Sequence, residues 1–216
     1  MTDIKSIAWD QIKIISFDLD DTLWDNRGVI ETCQQALFDY LSEQHPPIKE
    51  RFSIDAMESI AQQLQLSNQN FDNMTLLRKA VIKQMLIDTD GDLALINPAF
   101  AIFYHWRNQI QVPKISRQVL QTLTKKYTLV ATSNGNSNLH QVGLAKYFDQ
   151  HLIAGIHGQA KPSPEMLNYL VAHYQINTNQ LVHIGDSFET DILSAKAAKV
   201  PHLELNFEQI GVLHSI

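Results

Sequence analysis

The sequence predicts an α/β fold, a doubly wound parallel sheet of Rossmann type with a helical insertion, on three observations. An apolar, β-branched run (Ile12, Ile14, Ile15, Phe17) lies near the amino terminus and stops at Asp18. From about residue 112 onward, strand-like and helix-like patterns alternate, as in sheets built with crossover helices. Between residues 25 and 111 the apolar positions keep three- and four-residue spacing, and nothing there reads as a strand. The core is therefore expected from 1–24 and 112–216, and the inserted helical domain from 25–111.

Taken in order, the first strand is a largely apolar run, as expected of a strand covered on both faces. Val29, Ile30, Cys33, Leu37, Tyr40 and Leu41 mark a helix that ends near His45-Pro46-Pro47. Ile54, Met57, Ala61 and Leu64 repeat the pattern after a Ser53 cap. A third helix covers roughly Thr75 to Ile87, before Asp90-Gly91-Asp92. The fourth carries Phe100, Phe103, Trp106 and Ile110, whose aromatic rings read as packing. Arg107, beside them, reads as a solvated or salt-bridged surface group. Four amphipathic helices in succession read as a small bundle. An insertion leaving directly after a strand's carboxyl end is expected to lie over the mouth of a site there, as a lid.

Beyond the insertion, a helix near Ser116–Lys126 leads to the strand Leu129–Ser133. The short run Leu152-Ile153-Ala154 precedes Gly155 and Gly158, and a helix follows Pro162–Pro164 to about Tyr174. Leu181–Ile184 reads as a further buried strand, with His183 packed inside it, and ends at Gly185-Asp186. A helix over Thr190–Lys199 and a short strand, His202–Leu205, complete the pattern.

Composition narrows the class. With 216 residues, 44% hydrophobic and 19% charged, the chain has the balance of an ordinary globular protein with a sizeable core. A formal net charge of −6 argues against nucleic acid or an anionic membrane as partner. The lone Cys33 cannot form an intramolecular disulfide and falls on an apolar helix stripe. The amino terminus shows no signal-peptide segment and no run reaches membrane-spanning length, so a cytoplasmic location is expected, as monomer or homodimer.

The chemistry-bearing residues follow the strand ends. Asp18, Asp20 and Thr22 alternate after the first strand, so their side chains share one side of an extended chain. Crowded carboxylates repel unless a cation or shared proton relieves them. Ser133-Asn134-Gly135 ends the second strand, with a hydroxyl, an amide and flexible backbone that can wrap an anion. Lys161 opens a helix and offers a cation, and Asp186 and Asp191 follow another strand. Each segment alone also fits an ordinary turn or helix cap. Their shared position beyond successive buried strands, where open α/β sheets bind ligands, favours a site.

Asp18-Leu-Asp20-Asp-Thr22, Ser133-Asn-Gly, Lys161-Pro and Gly185-Asp186-Ser-Phe-Glu-Thr-Asp191 resemble, in order, the four motifs of the haloacid dehalogenase superfamily, in its phosphatase branch. The likeness covers the whole chain, and the insertion resembles that family's α-helical cap. More narrowly, Phe17 to Asn26, Trp106-Arg107, Ser133-Asn-Gly-Asn136 and His157-Gly158 before Lys161-Pro162 are similar to a bacterial flavin mononucleotide phosphatase subgroup.

The resemblance implies that Asp18 is the nucleophile, forming an aspartyl-phosphate, and that Asp20 is the general acid and base. It implies Mg²⁺ held by Asp18, the backbone carbonyl of Asp20, and Asp186. Ser133, the backbone around Asn134, and Lys161 would hold phosphoryl oxygens, with Asp191 orienting a metal-bound water or Lys161. Asp21 is expected to face away, and Thr22 to support the turn. The implied substrate is a small phosphorylated metabolite: flavin mononucleotide, or a nucleotide or sugar phosphate. A haloacid dehalogenase or a phosphomutase of the same fold remains an alternative, as does a non-catalytic phospho-acceptor. Asp20 weighs against dehalogenation, because a departing halide needs no acid.

Overall fold

The computed structural model describes residues 4–67 and 71–216. The chain forms two compact units, one of residues up to Asp25 together with Gln111–Ile216, the other Asn26–Ile110.

The first unit is built on five parallel strands: β1 (Ile14–Phe17), β2 (Thr128–Ser133), β3 (Gln150–Ile153), β4 (Leu181–Gly185) and β5 (His202–Glu204), ordered β3-β2-β1-β4-β5. All four residues of β1 are buried, Ser16 among them, as its largely apolar run anticipates for a central strand. Ile14 pairs with Thr128 and Leu181, and Phe17 with Ala131 and Ile184. The carboxyl ends of β1, β2 and β4 therefore finish side by side.

One face of the sheet packs Ile14, Val130 and Leu152 against Met166, Leu167 and Leu170. The carboxyl-terminal turn, Ile210–Ser215, buries Ile210 and Leu213 and packs on the helix Lys114–Leu123.

Among its described residues the second unit contains five α-helices rather than four: α1 (Val29–Gln44), α2 (Pro47–Arg51), α3 (Ile54–Ser67), α4 (Met74–Ile87) and α5 (Ile96–Arg107). The additional α2 starts at Pro47, because a proline that stops one helix also suits the first turn of the next. The Asn73 side chain caps α4, accepting from the Thr75 and Leu76 N–H groups. Leu37, Leu41, Met57, Ile82, Met85 and Phe103 form the core. Cys33 is buried among them, and burial pushes its thiol up to about 11, so it stays protonated at neutral pH.

Two sequence expectations fail in α5. Trp106 is 43% exposed rather than packed, and Arg107 is 2% exposed rather than at the surface. Spacing alone could not separate the two, because they are adjacent and 100° of helix rotation decides which faces inward.

Arg78 of α4 is 7% exposed, with its Nη1 buried without a hydrogen-bond partner. Its guanidinium stands over the Phe103 ring at 4.5 Å, and burial holds its pKa below the usual value. A charge so placed costs desolvation that the aromatic face and the Glu58 carboxylate offset only in part. Arg78→Met should therefore stabilise the protein by about 1 kcal/mol, roughly 2–4 °C in Tm, measured by thermal unfolding.

The remaining helices complete the first unit: α6 (Lys114–Leu123), α7 (Leu139–Val142), α8 (Glu165–His173) and α9 (Leu193–Ala197). Where one helix was expected over Thr190–Lys199, a π-helical turn, Phe188–Ile192, precedes the short α9. No helix among the described residues is long and apolar enough to cross a membrane.

Candidate active site

Asp18 is the first residue beyond β1, and its N–H extends the ladder to the Ile184 carbonyl of β4 at 2.8 Å. The ladder thus aims the side chain at the row of strand ends. Its Oδ1 lies 2.5 Å from the Lys161 ammonium. Lys161, 3% exposed, also donates to Asp191 Oδ1 at 2.6 Å and to the Thr132 carbonyl at 2.9 Å. Three N–H bonds are thereby all directed at protein oxygens.

Asn134 fixes the loop that carries Lys161. Its side-chain amide donates to the Lys161 carbonyl at 2.9 Å and its Oδ1 accepts the Lys161 N–H at 2.8 Å. The Asn134 side chain is committed to this clamp, so an anion beside it meets the main chain. Ser133 Oγ accepts the Gly135 N–H at 2.9 Å, which leaves the hydroxyl proton to donate.

The end of β4 explains a glycine. A Cβ at Gly185 would fall 2.2 Å from the Asp191 Cγ, so only glycine lets the Asp191 carboxylate lie against the strand. The wide π turn brings Asp191 back to that position. There its Oδ1 meets Lys161 and His183 Nε2 (3.1 Å), and its Oδ2 accepts the Ser187 N–H at 3.2 Å. Thr22 is buried and bridges the two other carboxylates, with Oγ1 3.0 Å from Asp186 Oδ1 and 3.4 Å from Asp18 Oδ2. Asp21 adopts a left-handed φ of 58°, and its carbonyl accepts the Phe207 N–H.

Asp18, Asp186 and Asp191 each present a carboxylate oxygen within 4.8 Å of the others. The Asp20 carboxylate stands outside this trio. Its Oδ1 accepts the indole N–H of the buried Trp24 at 3.0 Å. Neither the indole bond of Trp24 nor the side-chain role of Asn134 is read from the sequence. His183, expected as packing alone, is buried and hydrogen-bonded to Asp191.

One lysine cannot hold two buried carboxylates down equally. Asp191 has His183 and a backbone N–H as well as Lys161, and together these overcome burial and keep it below the usual carboxylate range. Asp18 has fewer donors. Burial raises its pKa well above 3.8, with Asp191 and Asp20 adding to the rise and Lys161 opposing it. The same two carboxylates hold Lys161 above its ordinary value despite burial. Burial also raises Asp186. Three carboxylates face one ammonium, and all the donor atoms are hard oxygens, which suits a small divalent cation such as Mg²⁺.

Residues 12–199 match the family described as haloacid dehalogenase-like hydrolase. The chain is 32% identical to the 5-amino-6-(5-phospho-D-ribitylamino)uracil phosphatase YigB of Escherichia coli (strain K12), over 84% of this chain and 78% of that protein. It is 27% identical to a phosphoglycolate phosphatase of Vibrio parahaemolyticus, over 87% and 80% of the two chains. Among solved structures, a 2-haloacid dehalogenase from Pseudomonas syringae pv. Tomato superposes with a TM-score of 0.84 at 28% identity, covering 94% of this chain and 98% of that one.

Proposed function

Since the chain belongs to the haloacid dehalogenase-like hydrolases, we propose that it is a Mg²⁺-dependent phosphatase of a ribityl 5-phosphate joined to a heterocycle. The single observation that carries the hydrolytic reading is the buried Asp18 carboxylate, 2.5 Å from Lys161 and clustered with Asp186. The substrate class rests on two likenesses. The YigB relative is named for a phosphoribitylamino-uracil. The motif resemblance points to flavin mononucleotide, which is also a ribityl phosphate on a nitrogen heterocycle.

In this reading an Asp18 oxygen attacks phosphorus in line with the ester oxygen. The P–O ester bond breaks and Asp20 gives its proton to the departing alcohol. The indole N–H of Trp24 donates to Asp20 Oδ1 and so orients that carboxyl for the transfer. As phosphorus bonds to Asp18, the Lys161 N–H released from that carboxylate passes to a phosphoryl oxygen, alongside the Ser133 hydroxyl and the main chain at Asn134. Asp20 then removes a proton from the water that attacks phosphorus, the bond to Asp18 breaks, and inorganic phosphate leaves. Asp18, Asp186 and the Asp20 carbonyl would hold Mg²⁺, which supplies positive charge to the carboxylates and to a phosphoryl oxygen. Asp191 keeps Lys161 in place.

The structural neighbour's name raises dehalogenation, for which Asp20 as a proton donor has no use. The test measures phosphate release from flavin mononucleotide, 5-amino-6-(5-phospho-D-ribitylamino)uracil and phosphoglycolate, and halide release from a 2-haloacid. The expected result is phosphate release favouring the ribityl phosphates, abolished by chelation and restored by Mg²⁺. Halide release without phosphate release would replace this reading with dehalogenation.

A further inference from the structure

Behind Lys161 runs a chain of buried polar side chains that no step above employs. Ser16 and His183 are fully buried register partners on β1 and β4, and Thr132 of β2 is equally buried. Thr132 Oγ1 lies 2.9 Å from Ser16 Oγ, Ser16 Oγ lies 3.1 Å from His183 Nδ1, and His183 Nε2 lies 3.1 Å from Asp191 Oδ1. Three polar side chains in the middle of an apolar sheet cost desolvation unless their hydrogen bonds are satisfied. Packing alone would be served by valine or leucine.

The sense of every bond follows from the far end. Asp191, paired with Lys161, is an ionised carboxylate and only accepts, so His183 Nε2 carries a proton and donates it. Burial keeps the imidazole pKa below its usual value, against the pull of Asp191 and of the Ser16 main chain, and a neutral ring that carries its proton on Nε2 leaves Nδ1 as an acceptor. The Ser16 hydroxyl fills that acceptor, and the Ser16 oxygen accepts from Thr132. One arrangement of protons satisfies the whole chain.

We propose that His183 is a positioning residue: its Nε2–H holds Asp191 in the rotamer that presents Oδ1 to Lys161, and the Ser16 hydroxyl, backed by Thr132, holds the plane of the imidazole through Nδ1. The proposal rests on the phosphatase reading above. Partners of this kind, one step removed from the reacting groups, typically change rates without touching substrate.

The experiment compares wild type, His183→Phe, His183→Gln and Ser16→Ala in p-nitrophenyl phosphate hydrolysis at saturating Mg²⁺. The ring nitrogens of His183 are read by ¹⁵N NMR, and their signals are assigned by absence in the glutamine variant. His183→Phe should lower kcat by about 10- to 100-fold with KM changed by less than about threefold. Glutamine, which can place an N–H near the Nε2 position, should recover most of that loss. Wild type should show the Nε2–H tautomer alone, and Ser16→Ala the same tautomer with reduced kcat. A role confined to packing would lower Tm in His183→Phe and leave the kcat of the folded protein as in wild type, which would overturn the proposal. An Nδ1–H tautomer in wild type would overturn it as well, even if His183→Phe failed to fold. No turnover of any phosphate ester by wild type would instead remove the phosphatase reading, and this proposal with it.

Discussion

Asp18→Asn is expected to fold and to release no phosphate. The asparagine keeps the shape of the side chain but cannot bond covalently to phosphorus as a carboxylate does, so turnover should fall by about 10⁴-fold or more. Stability should respond in the opposite direction from activity. In the folded protein Asp18 is buried and its pKa is raised from 3.8, so the folded state holds that proton to higher pH than the unfolded chain. Its contribution to stability is therefore greatest below about pH 3.8 and is lost as pH rises toward the folded-state value. Asparagine resembles the protonated form and has nothing to lose over that window. In chelator at neutral pH the Asp18→Asn melting temperature should equal or exceed that of wild type. Added Mg²⁺ should raise the wild-type value more than the variant's, since a cation that binds only the folded state stabilises it. Phosphate release by the variant above about 1% of wild type would take Asp18 out of the nucleophile role.

Lys161→Met should be the most damaging single change to stability. The ammonium lies between two buried carboxylates at 2.5 and 2.6 Å, and removing it leaves both without their cation. Breaking a buried pair in this way costs about 3–5 kcal/mol, so a fall of some 10 °C in Tm is expected, together with loss of turnover. The pH dependence separates this from a packing defect. In wild type the Asp191 pKa is lowered, so its contribution is present above the ordinary carboxylate range and lost only on strong acidification. In the variant both carboxylates are expected to shift upward, and acidification from pH 7 toward 5 should restore part of the lost stability. A variant equally unstable at both pH values would mean that Lys161 acts through its methylene stem alone.

Much of the first unit was legible because the signals were local. The largely apolar runs at Ile14–Phe17 and Leu181–Gly185 are too short to be surface helices, and each is followed by an aspartate. The limits of local reading show where one residue decides between two environments. Trp106 and Arg107 exchange the places that polarity alone assigns them. Pro47 starts a helix where it looked like a stop, and the π turn before α9 adds a residue that no periodicity announces. In each case tertiary packing outweighed a weak local preference.

The sequence by itself determined which chemical groups stand at the ends of which strands, because strand pattern and motif spacing are properties of neighbouring residues. Only the tertiary structure decided which of those groups hold one another. Lys161 meets Asp18 across 143 positions and His183 meets Ser16 across 167, and both pairings follow from the strand order β3-β2-β1-β4-β5. Trp24 reaches Asp20 from only four residues away, yet which group its indole N–H finds depends on how the chain turns after β1. Hydrogen bonds and ion pairs act over about 3 Å, and no local pattern encodes which distant residues the folded sheet brings within that range.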